Sequence, residues 1–404
     1  HLLPTFATWA GRKTQGHFAD APHLYAMLAG SAPFRLNLNV GDVGHTLVLG
    51  PTGSGKSPLL SLFILQWLKY KDARVFAFDK GRSSRATILA CEGTFLELVA
   101  GSREVAFAPF VRAHEPREAS FLLEWLEELC VMEGVRVGPA ERSDLADALR
   151  ALERIAPENR EMASFLGLVQ HDTLVEALAP YSDQGVHAAL FAGRQEHLSL
   201  TRVTGIELGE LMERSPKLVA ATLRYLFHRI EEQFDGSPTL LILDEAWIFL
   251  DSELFADRIR SWLKTLRKKN VYVVFASQDL QDALASPIAP TLIQNCPTRL
   301  LLPNPMATNP AMKDAYRTLG LKEGAIRQIA SAQPKRDYFF SSPEGERAFE
   351  LGLSELELSL VGASSPAAQK RIDHALLASE SSRESFAHCY LAREGFSQYA
   401  KELA

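Results

Sequence analysis

The sequence is poor in cysteine, in long hydrophobic runs and in excess basic charge. Its cysteines are too widely separated for a paired zinc motif or a redox CxxC motif, which favours a reducing compartment and no zinc: Cys91, Cys130, Cys296 and Cys389. The longest apolar stretch, residues 59–68, is shorter than the roughly 20 residues that span a bilayer. Lys and Arg total 43 against 49 for Asp and Glu, which excludes a dedicated nucleic-acid coat protein but not a local basic channel.

The remaining composition is that of a folded protein with room for more than one domain. Hydrophobic residues make up 47% and charged residues 23% of the 404 positions, both close to the globular average. At about 150 residues per domain, this length predicts two or three units. The chain begins at His1 without a methionine or a signal-peptide pattern, so we expect it to be a segment of a longer protein.

Short apolar runs, each followed by a helical segment, indicate an α/β core. They are almost uninterrupted, as expected of parallel strands covered on both faces: 46–49, 74–78, 239–243, 271–275 and 298–302. Residues 111–193 show helical spacing and predict an all-helical insertion, which separates a first core segment, 1–110, from a second, 194–364. A hairpin is expected within residues 337–351, and terminal helices over 365–404.

A glycine-rich phosphate loop is the strongest chemical signal. Residues 50–57 read GPTGSGKS and match GxxxxGK[ST] between an apolar strand and a helix. The glycines let backbone N–H groups point at phosphate oxygens, and the following helix N-terminus favours anions. We expect Lys56 to reach the β- and γ-phosphates and the Ser57 hydroxyl to ligate Mg²⁺. The predicted nucleotide contacts are Pro51, Thr52, Gly53, Ser54, Gly55, Lys56 and Ser57.

Two carboxylates at the end of an apolar strand supply the second half of the predicted site. The strand 239–243 leads directly into Asp244 and Glu245. Because doubly wound sheets bind ligands at the carboxyl ends of their strands, both side chains are expected beside the phosphate loop. Asp244 is predicted to hold Mg²⁺ and Glu245 to polarise the attacking water, a pair that suits a hydrolase better than a kinase.

Two further residues flank the strand 271–275. Arg267 precedes it and is either a guanidinium supplied to the γ-phosphate of a neighbouring subunit or one charge of a solvated basic helix end; the residues alone leave both readings open. Gln278 follows the strand and is placed to orient the γ-phosphate and the water. The predicted catalytic residues are therefore Lys56, Glu245, Arg267 and Gln278.

Five motifs in a fixed order resemble a known family. They are GPTGSGKS at 50–57, FDKGRS at 78–83, LLILDEAW at 240–247, WLKTLRKKN at 262–270 and ASQDL at 276–280. In this order they resemble the ATPase domain of the conjugative-transfer and type IV secretion ATPases of the TrbE/CagE type. The stretch 338–364 resembles the TrbE branch in particular. Members of this family usually carry a large domain ahead of the motor.

The resemblance implies a RecA-like P-loop NTPase core with a mainly parallel sheet and a helical insertion. It implies a cytoplasmic motor, peripheral on the bacterial inner membrane, that forms homo-hexamers and hydrolyses ATP with Mg²⁺. It also implies that other type IV secretion components are its partners in pilus biogenesis and substrate transfer. Within the site, the resemblance implies that Arg267 acts in trans and that Gln278 contacts the γ-phosphate region. Asp79, Lys80 and Arg82 match a family motif but have no derived role.

Two alternatives stay open. A hexameric DNA translocase of the coupling-protein or HerA kind shares the same core, so DNA contact is compatible with the sequence but not required by it. A nucleotide-dependent assembly scaffold, in which turnover is incidental, needs the same phosphate loop. Stimulation of hydrolysis by DNA distinguishes the translocase, and a Glu245→Gln variant that binds ATP without hydrolysing it distinguishes the scaffold.

Overall fold

The chain folds into two compact units. The first consists of His1–Phe95, Thr201–Ile206 and Phe234–Ala404, and the second of Leu96–Leu200 and Glu207–Gln233. In the part of the chain that the structure describes, every helix is too short or too polar to cross a membrane. The structure is a computed structural model that describes residues 9–15, 17–18, 21–28, 32–98, 106–191, 193–245, 253–382 and 384–400. The last two residues of LLILDEAW, Ala246 and Trp247, lie outside these ranges.

The described residues form one eleven-stranded sheet. Its strands are β1 (Leu24–Met27), β2 (Pro33–Leu36), β3 (Thr46–Leu49), β4 (Arg74–Asp79), β5 (Thr94–Glu97), β6 (Val203–Glu207), β7 (Thr239–Leu243), β8 (Val271–Ser277), β9 (Thr298–Leu301), β10 (Asp337–Ser342) and β11 (Gly345–Glu350). Their order across the sheet is β2-β1-β11-β10-β9-β3-β8-β7-β4-β6-β5.

The centre of the sheet is parallel and is built from the five strands that the apolar runs predict. β9, β3, β8, β7 and β4 are neighbours, and each pairing among them is parallel. Nearly all their residues are buried, as expected of strands with both faces covered. Because parallel strands end at the same edge, the residues after β3, β7 and β8 come together there. The predicted α/β class is therefore confirmed.

Antiparallel strands extend the sheet beyond β9. β10 pairs antiparallel with β9 and forms the expected hairpin with β11, in which Ser342 is opposite Gly345. β1 and β2 continue the sheet from β11. The sequence does not predict β1 and β2, which precede the first of the five apolar runs, and β2 begins at Pro33 and includes Arg35. Proline is tolerated there because β2 is an edge strand.

Helices account for most of the remaining described residues. In chain order they are α1 (Lys56–Trp67), α2 (Arg85–Ala90), α3 (Pro116–Met132), α4 (Pro139–Leu152), α5 (Met162–Leu166), α6 (Asp172–Leu178), α7 (Ala188–Phe191), α8 (Gly209–Met212), α9 (Pro216–Glu231), α10 (Glu253–Thr265), α11 (Leu280–Ala285), α12 (Ala289–Asn295), α13 (Pro310–Thr318), α14 (Glu323–Ser331), α15 (Glu355–Val361), α16 (Pro366–Ser382), α17 (Phe386–Arg393) and α18 (Ser397–Ala400). Short 3₁₀ turns include Leu266–Lys269, directly before β8.

The main core of the first unit surrounds α1. This helix buries Leu59, Phe63 and Trp67 completely, against sheet residues such as Val48 and Val274. The Trp67 indole N–H also donates a hydrogen bond to the Pro238 carbonyl at 3.2 Å. A helix that is apolar on most of its surface is held on several sides. The start of α1, which follows the phosphate loop, is therefore fixed firmly to the sheet.

The second unit is helical and larger than the expected insertion at 111–193. It begins at Leu96 and includes α9, which the sequence analysis placed in the second core segment. α9 packs against α3, and the buried Trp125 indole N–H of α3 donates to the Ala221 carbonyl of α9 at 3.3 Å. The chain re-enters this unit after β6, a return that helical spacing along the sequence does not reveal.

Candidate active site

The phosphate loop joins β3 to α1 and contains two glycines in left-handed conformations. Gly53 has a φ of 79° and Gly55 a φ of 110°, values that residues with a Cβ rarely adopt. A Cβ on Gly55 would also stand 2.6 Å from the Tyr338 hydroxyl, so a larger side chain is excluded by space as well. Gly55 is the N-cap of α1, so the N–H groups of the first turn are available to an anion.

A segment far away in the sequence supports the phosphate loop. The Lys335 N–H donates a hydrogen bond to the Ser54 carbonyl at 2.8 Å, and the Tyr338 hydroxyl donates to the Gly55 carbonyl at 3.0 Å. Lys335 has a φ of 66°, and Tyr338 belongs to β10. Neither residue is predicted from the sequence as part of the site, because no local pattern connects them with residues 50–57.

Lys56 lies between the two predicted carboxylates. Its Nζ is 3.1 Å from Asp244 Oδ1 and 3.1 Å from Glu245 Oε1. The three side chains are no more than 8% exposed. Glu245 has a φ of 54°, and its N–H donates to Asp244 Oδ1 at 3.0 Å. This backbone conformation, which is costly for a residue other than glycine, allows both carboxylates to contact Lys56.

Burial controls the protonation of Asp244. It raises the pKa of this carboxyl from 3.8 to about 6; Lys56 opposes the rise, and the charges of Asp79 and Glu245 add to it. Two buried carboxylates thus share one buried ammonium, an arrangement in which a hard cation is favourable. The Ser57 hydroxyl lines the same cleft, so the oxygen donors of Ser57 and Asp244 fit Mg²⁺ by their chemistry.

Gln278 links the phosphate loop to Glu245. Its Oε1 accepts a hydrogen bond from the Thr52 hydroxyl, and its Nε2 donates to Glu245 Oε1. Gln278 directly follows β8, whose neighbours in the sheet are β3 and β7. The strand order therefore brings together three of the predicted catalytic side chains, Lys56, Glu245 and Gln278.

A cleft of about 430 Å³ surrounds these groups. Its volume lies in the range of small-molecule sites. Besides the phosphate loop, Asp244, Glu245 and Gln278, it is lined by residues that the sequence analysis did not assign to the site: Pro58, Lys80, Lys335, Leu353, Leu358, Gly362 and Ser364.

The FDKGRS motif shapes a turn beside this cleft. The Asp79 carboxylate accepts hydrogen bonds from the Ser84 N–H and hydroxyl, both at 2.6 Å, and from the Ser83 hydroxyl at 2.7 Å. These bonds fix the loop that follows β4, and Lys80 in that loop lines the cleft. Asp79 therefore has a local structural role, and Lys80 contributes a positive charge to the cleft.

Arg267 lies outside the cleft. It precedes β8 whereas Gln278 follows this seven-residue strand, so the two are separated by roughly 20 Å. The Arg267 side chain is 44% exposed, and its Nη1 is 3.6 Å from Asp42 Oδ2. This position does not bring Arg267 to the nucleotide cleft of its own chain, and its action on a neighbouring subunit stays a prediction.

The helical unit contains a second cluster of buried charges. The ligand atoms of Glu118, His228 and Glu232 lie within 4.8 Å of one another, close enough for a metal ion. The arginines nearby already bind these carboxylates, however. Arg112 Nη2 is 2.8 Å from Glu232 and 3.7 Å from Glu118, and Arg229 Nη1 is 2.5 Å from Glu232. The His228 Nε2 is 2.8 Å from Glu118 Oε1, which completes an ion-pair network.

Comparison with known proteins connects the chain with one family. Residues 168–339 match the TraG P-loop domain. The chain is 38% identical over 380 residues to the conjugal transfer protein TrbE of Rhizobium radiobacter. The matched region covers 92% of this chain and 46% of that protein. The chain is a homologue of TrbE. It is also 28% identical over 352 residues to the type IV secretion system protein virB4 of Bartonella quintana, covering 86% of this chain and 44% of that one.

This homology confirms the resemblance to the TrbE/CagE type that the motifs indicate. The chain spans about half the length of the curated relatives it matches. VirB4 of Thermoanaerobacter pseudethanolicus has a similar structure, with a TM-score of 0.65 at 17% identity over 84% of this chain and 99% of that one. The plasmid coupling protein TrwB in complex with ADP and Mg²⁺ is also similar in structure, with a TM-score of 0.54. The similarity has 14% sequence identity and covers 82% of this chain and 89% of that one. Both likenesses support the α/β P-loop NTPase fold.

Proposed function

We propose that this chain is the ATP-hydrolysing motor of a type IV secretion or conjugation system. The observation that carries the proposal is the single cleft in which the phosphate loop meets Lys56, Asp244, Glu245 and Gln278. Homology to TrbE supports the assignment to conjugal transfer. In this proposal the motor works at the cytoplasmic face of the bacterial inner membrane with other secretion components, and it powers pilus biogenesis and substrate transfer.

The phosphate loop and Lys56 bind the triphosphate in the proposed mechanism. Backbone N–H groups of the loop and of the first turn of α1 donate to phosphate oxygens. Lys56 exchanges its contacts with Asp244 and Glu245 for the β- and γ-phosphate oxygens, which carry more negative charge. Mg²⁺, when held by Ser57 and Asp244, supplies further charge neutralisation at these oxygens.

Glu245 and Gln278 act on the water. With Lys56 engaged by phosphate, the Glu245 carboxylate orients and polarises a water for in-line attack on the γ-phosphoryl group. Gln278 keeps Glu245 close to the loop, since its amide contacts both Glu245 and Thr52. Positioning of this kind is most of what phosphoryl transfer requires from a protein.

Arg267 completes the site of a neighbouring subunit in a homo-hexamer, according to this proposal. The residue is exposed and distant from its own cleft, as a trans-acting arginine must be. Its removal should then cost rate without costing the affinity of the chain for ATP. Lys268, which is adjacent and also exposed, offers a matched cation without the proposed role.

The test is the ATPase rate per subunit as a function of protein concentration, for wild type, Arg267→Ala and Lys268→Ala. We expect the wild-type rate per subunit to rise with protein concentration. Arg267→Ala should lower this rate at least about 100-fold while its affinity for ATP is unchanged, and Lys268→Ala should behave like the wild type. A rate that is independent of both concentration and Arg267 contradicts the shared site. Single- and double-stranded DNA are added in parallel, because strong stimulation favours the DNA translocase instead.

A further inference from the structure

One wall of the nucleotide cleft is apolar and comes from the C-terminal part of the first unit. The phosphate loop, Lys56 and the carboxylates form the polar side of the cleft. The same cleft is also lined by Leu353, Leu358, Gly362 and Ser364, together with Pro58 at the start of α1. Leu358 is 46% exposed, which is unusual for a large apolar side chain that lines a binding cleft.

The helix α15, which carries Leu358, is capped at its start and hydrogen-bonded to α2 near its end. Ser354 caps the helix by accepting from the Glu357 N–H at 3.2 Å, and its own N–H donates to Glu357 Oε2 at 2.7 Å. Near the other end, the Leu360 carbonyl accepts from the Thr87 hydroxyl at 3.0 Å. α15 packs against α1 and α2, so its position relative to the phosphate loop is fixed.

The direction of a nucleotide in the cleft follows from its two ends. The γ-phosphate belongs beside Glu245 and Gln278, where water is to be activated. The loop and the first turn of α1 hold the phosphates, so the base has to lie away from these polar groups. A purine is a flat apolar ring system, and the part of the cleft that suits it is the wall of Leu353 and Leu358.

We propose that Leu353 and Leu358 form the platform for the purine base and that this platform contacts the ring faces without reading the base edges. This inference rests on the proposed function. Among Leu353, Leu358, Gly362 and Ser364, only Ser364 has a polar side-chain group, a hydroxyl that both donates and accepts; Lys80 and Lys335 line the same cleft in the part of the chain that the structure describes. Strong discrimination between bases requires directed hydrogen bonds, whereas apolar contact contributes affinity alone. ATP and GTP therefore bind with similar affinity.

The test is a set of calorimetric titrations with three ligands in Mg²⁺: AMP-PNP, GMP-PNP and tripolyphosphate, which has the phosphates but no base. We expect Leu358→Ser in the intact chain to weaken both nucleotides by about tenfold and to leave tripolyphosphate within about twofold. Leu353→Ala should behave in the same way. The matched control is Leu377→Ser on α16, which changes a leucine that is 62% exposed and outside the cleft, and which should bind all three ligands like wild type.

Three results would overturn the inference. Unchanged nucleotide affinity in both leucine variants would mean that the base lies elsewhere. An equal loss for tripolyphosphate would mean that the leucines act through the phosphate loop. A wild-type preference for one purine above tenfold would mean that the edges are read. Failure of the proposed function looks different, because the wild type would then bind the nucleotides without hydrolysing ATP, or would bind neither the nucleotides nor tripolyphosphate.

Discussion

The candidate active site and the charge cluster of the helical unit bury the same kinds of side chain in opposite ways. In the candidate active site the described ion pairs of two carboxylates, Asp244 and Glu245, are made with Lys56, and these side chains line the cleft. In the helical cluster the carboxylates of Glu118 and Glu232 each lie within 4.0 Å of the guanidinium groups of Arg112 and Arg229, and Glu118 also contacts His228.

The pKa values of the buried acids move in opposite directions as a result. Burial raises the pKa of Glu118, but the hydrogen bond from His228 and the charges of Arg112 and Arg229 outweigh it and hold that pKa below 4.5. Burial raises the pKa of Asp244 to about 6, and Lys56 alone does not compensate. A buried acid whose negative charge is only partly balanced by nearby cationic side chains therefore indicates a ligand site. A buried acid whose charge is fully balanced indicates a structural network.

The largest expected effect comes from neutralising one acid of the active site. Glu245→Gln removes the group proposed to polarise water and should lower the ATPase rate by about 10²–10³-fold while ATP binding is retained. Rate and affinity are measured separately, by phosphate release and by calorimetry. Transfer in cells should fail as fully as it does for Lys56→Ala; normal transfer by Glu245→Gln would support the assembly scaffold instead.

Neutralising the corresponding acid of the helical cluster should affect stability and not catalysis. Glu118→Gln leaves cationic side chains without their buried partner, so the free energy of unfolding should fall by about 3 kcal/mol. Urea denaturation measures this, and nucleotide affinity should stay unchanged. The control is Glu115→Gln, which removes a solvent-exposed partner of Arg112 and should leave the denaturation midpoint nearly unchanged. Equal effects of the two variants would contradict the importance of burial in this cluster.

A third way to bury an ionisable group is to keep it neutral, as His23 does. It packs against Phe63 and Trp67, with ring centroids at 5.1 and 5.4 Å, and burial and then Lys69 lower its pKa from 6.5 to about 3. Because the unfolded chain takes up the proton more readily, the stabilisation is complete above pH 6.5 and is lost as the pH falls toward 3. Between pH 7 and 5 the free energy of unfolding contributed by His23 falls by ~2 kcal/mol. In urea denaturation, the free energy of unfolding of His23→Phe should fall less between pH 7 and 5 than that of the wild type. An equal fall in both proteins would contradict a neutral, buried His23.

The smallest expected effect is that of divalent metal on the helical cluster. Arg112 and Arg229 occupy the carboxylates that a metal would need, so Mn²⁺ or Zn²⁺ should produce no saturable thermal shift there. The measurement uses Asp244→Asn, which removes the metal ligand proposed for the active site. A saturable shift in this variant that Glu118→Gln abolishes would show that the cluster is a metal site and would end the contrast between the two regions.

Sequence patterns predict the parts of the fold that depend on local order. The five apolar runs are strands because a strand buried on both faces needs an uninterrupted apolar stretch. β5 and β6 are not among the predicted strands, since neither is an uninterrupted apolar run: TFLE ends in a glutamate, and VTGIE contains a glycine and a glutamate. The helical unit extends beyond 111–193 because α9 belongs to it through packing on α3. Packing between distant segments leaves no periodic signal.

The same limit applies within the candidate site. Lys56, Asp244 and Gln278 follow strands that are neighbours in the sheet, so the motif order and the α/β class suffice to bring them together. Lys335 and Leu358 reach the cleft from the C-terminal part of the chain; Leu358 lies in the stretch 338–364 that resembles the TrbE branch, but this resemblance assigns neither residue to the nucleotide site. Their position depends on the tertiary structure around the hairpin, which no local motif encodes.

The hydrogen bond between the Tyr338 hydroxyl and the Gly55 carbonyl joins residues 283 positions apart. During synthesis, all five family motifs leave the ribosome well before this tyrosine does. A nascent chain that ends before residue 335 contains every predicted phosphate-contacting group, yet the phosphate loop lacks its supports from Lys335 and Tyr338. Because contacts between such distant residues form late, the order of synthesis delays completion of the nucleotide site until most of the first unit has been made.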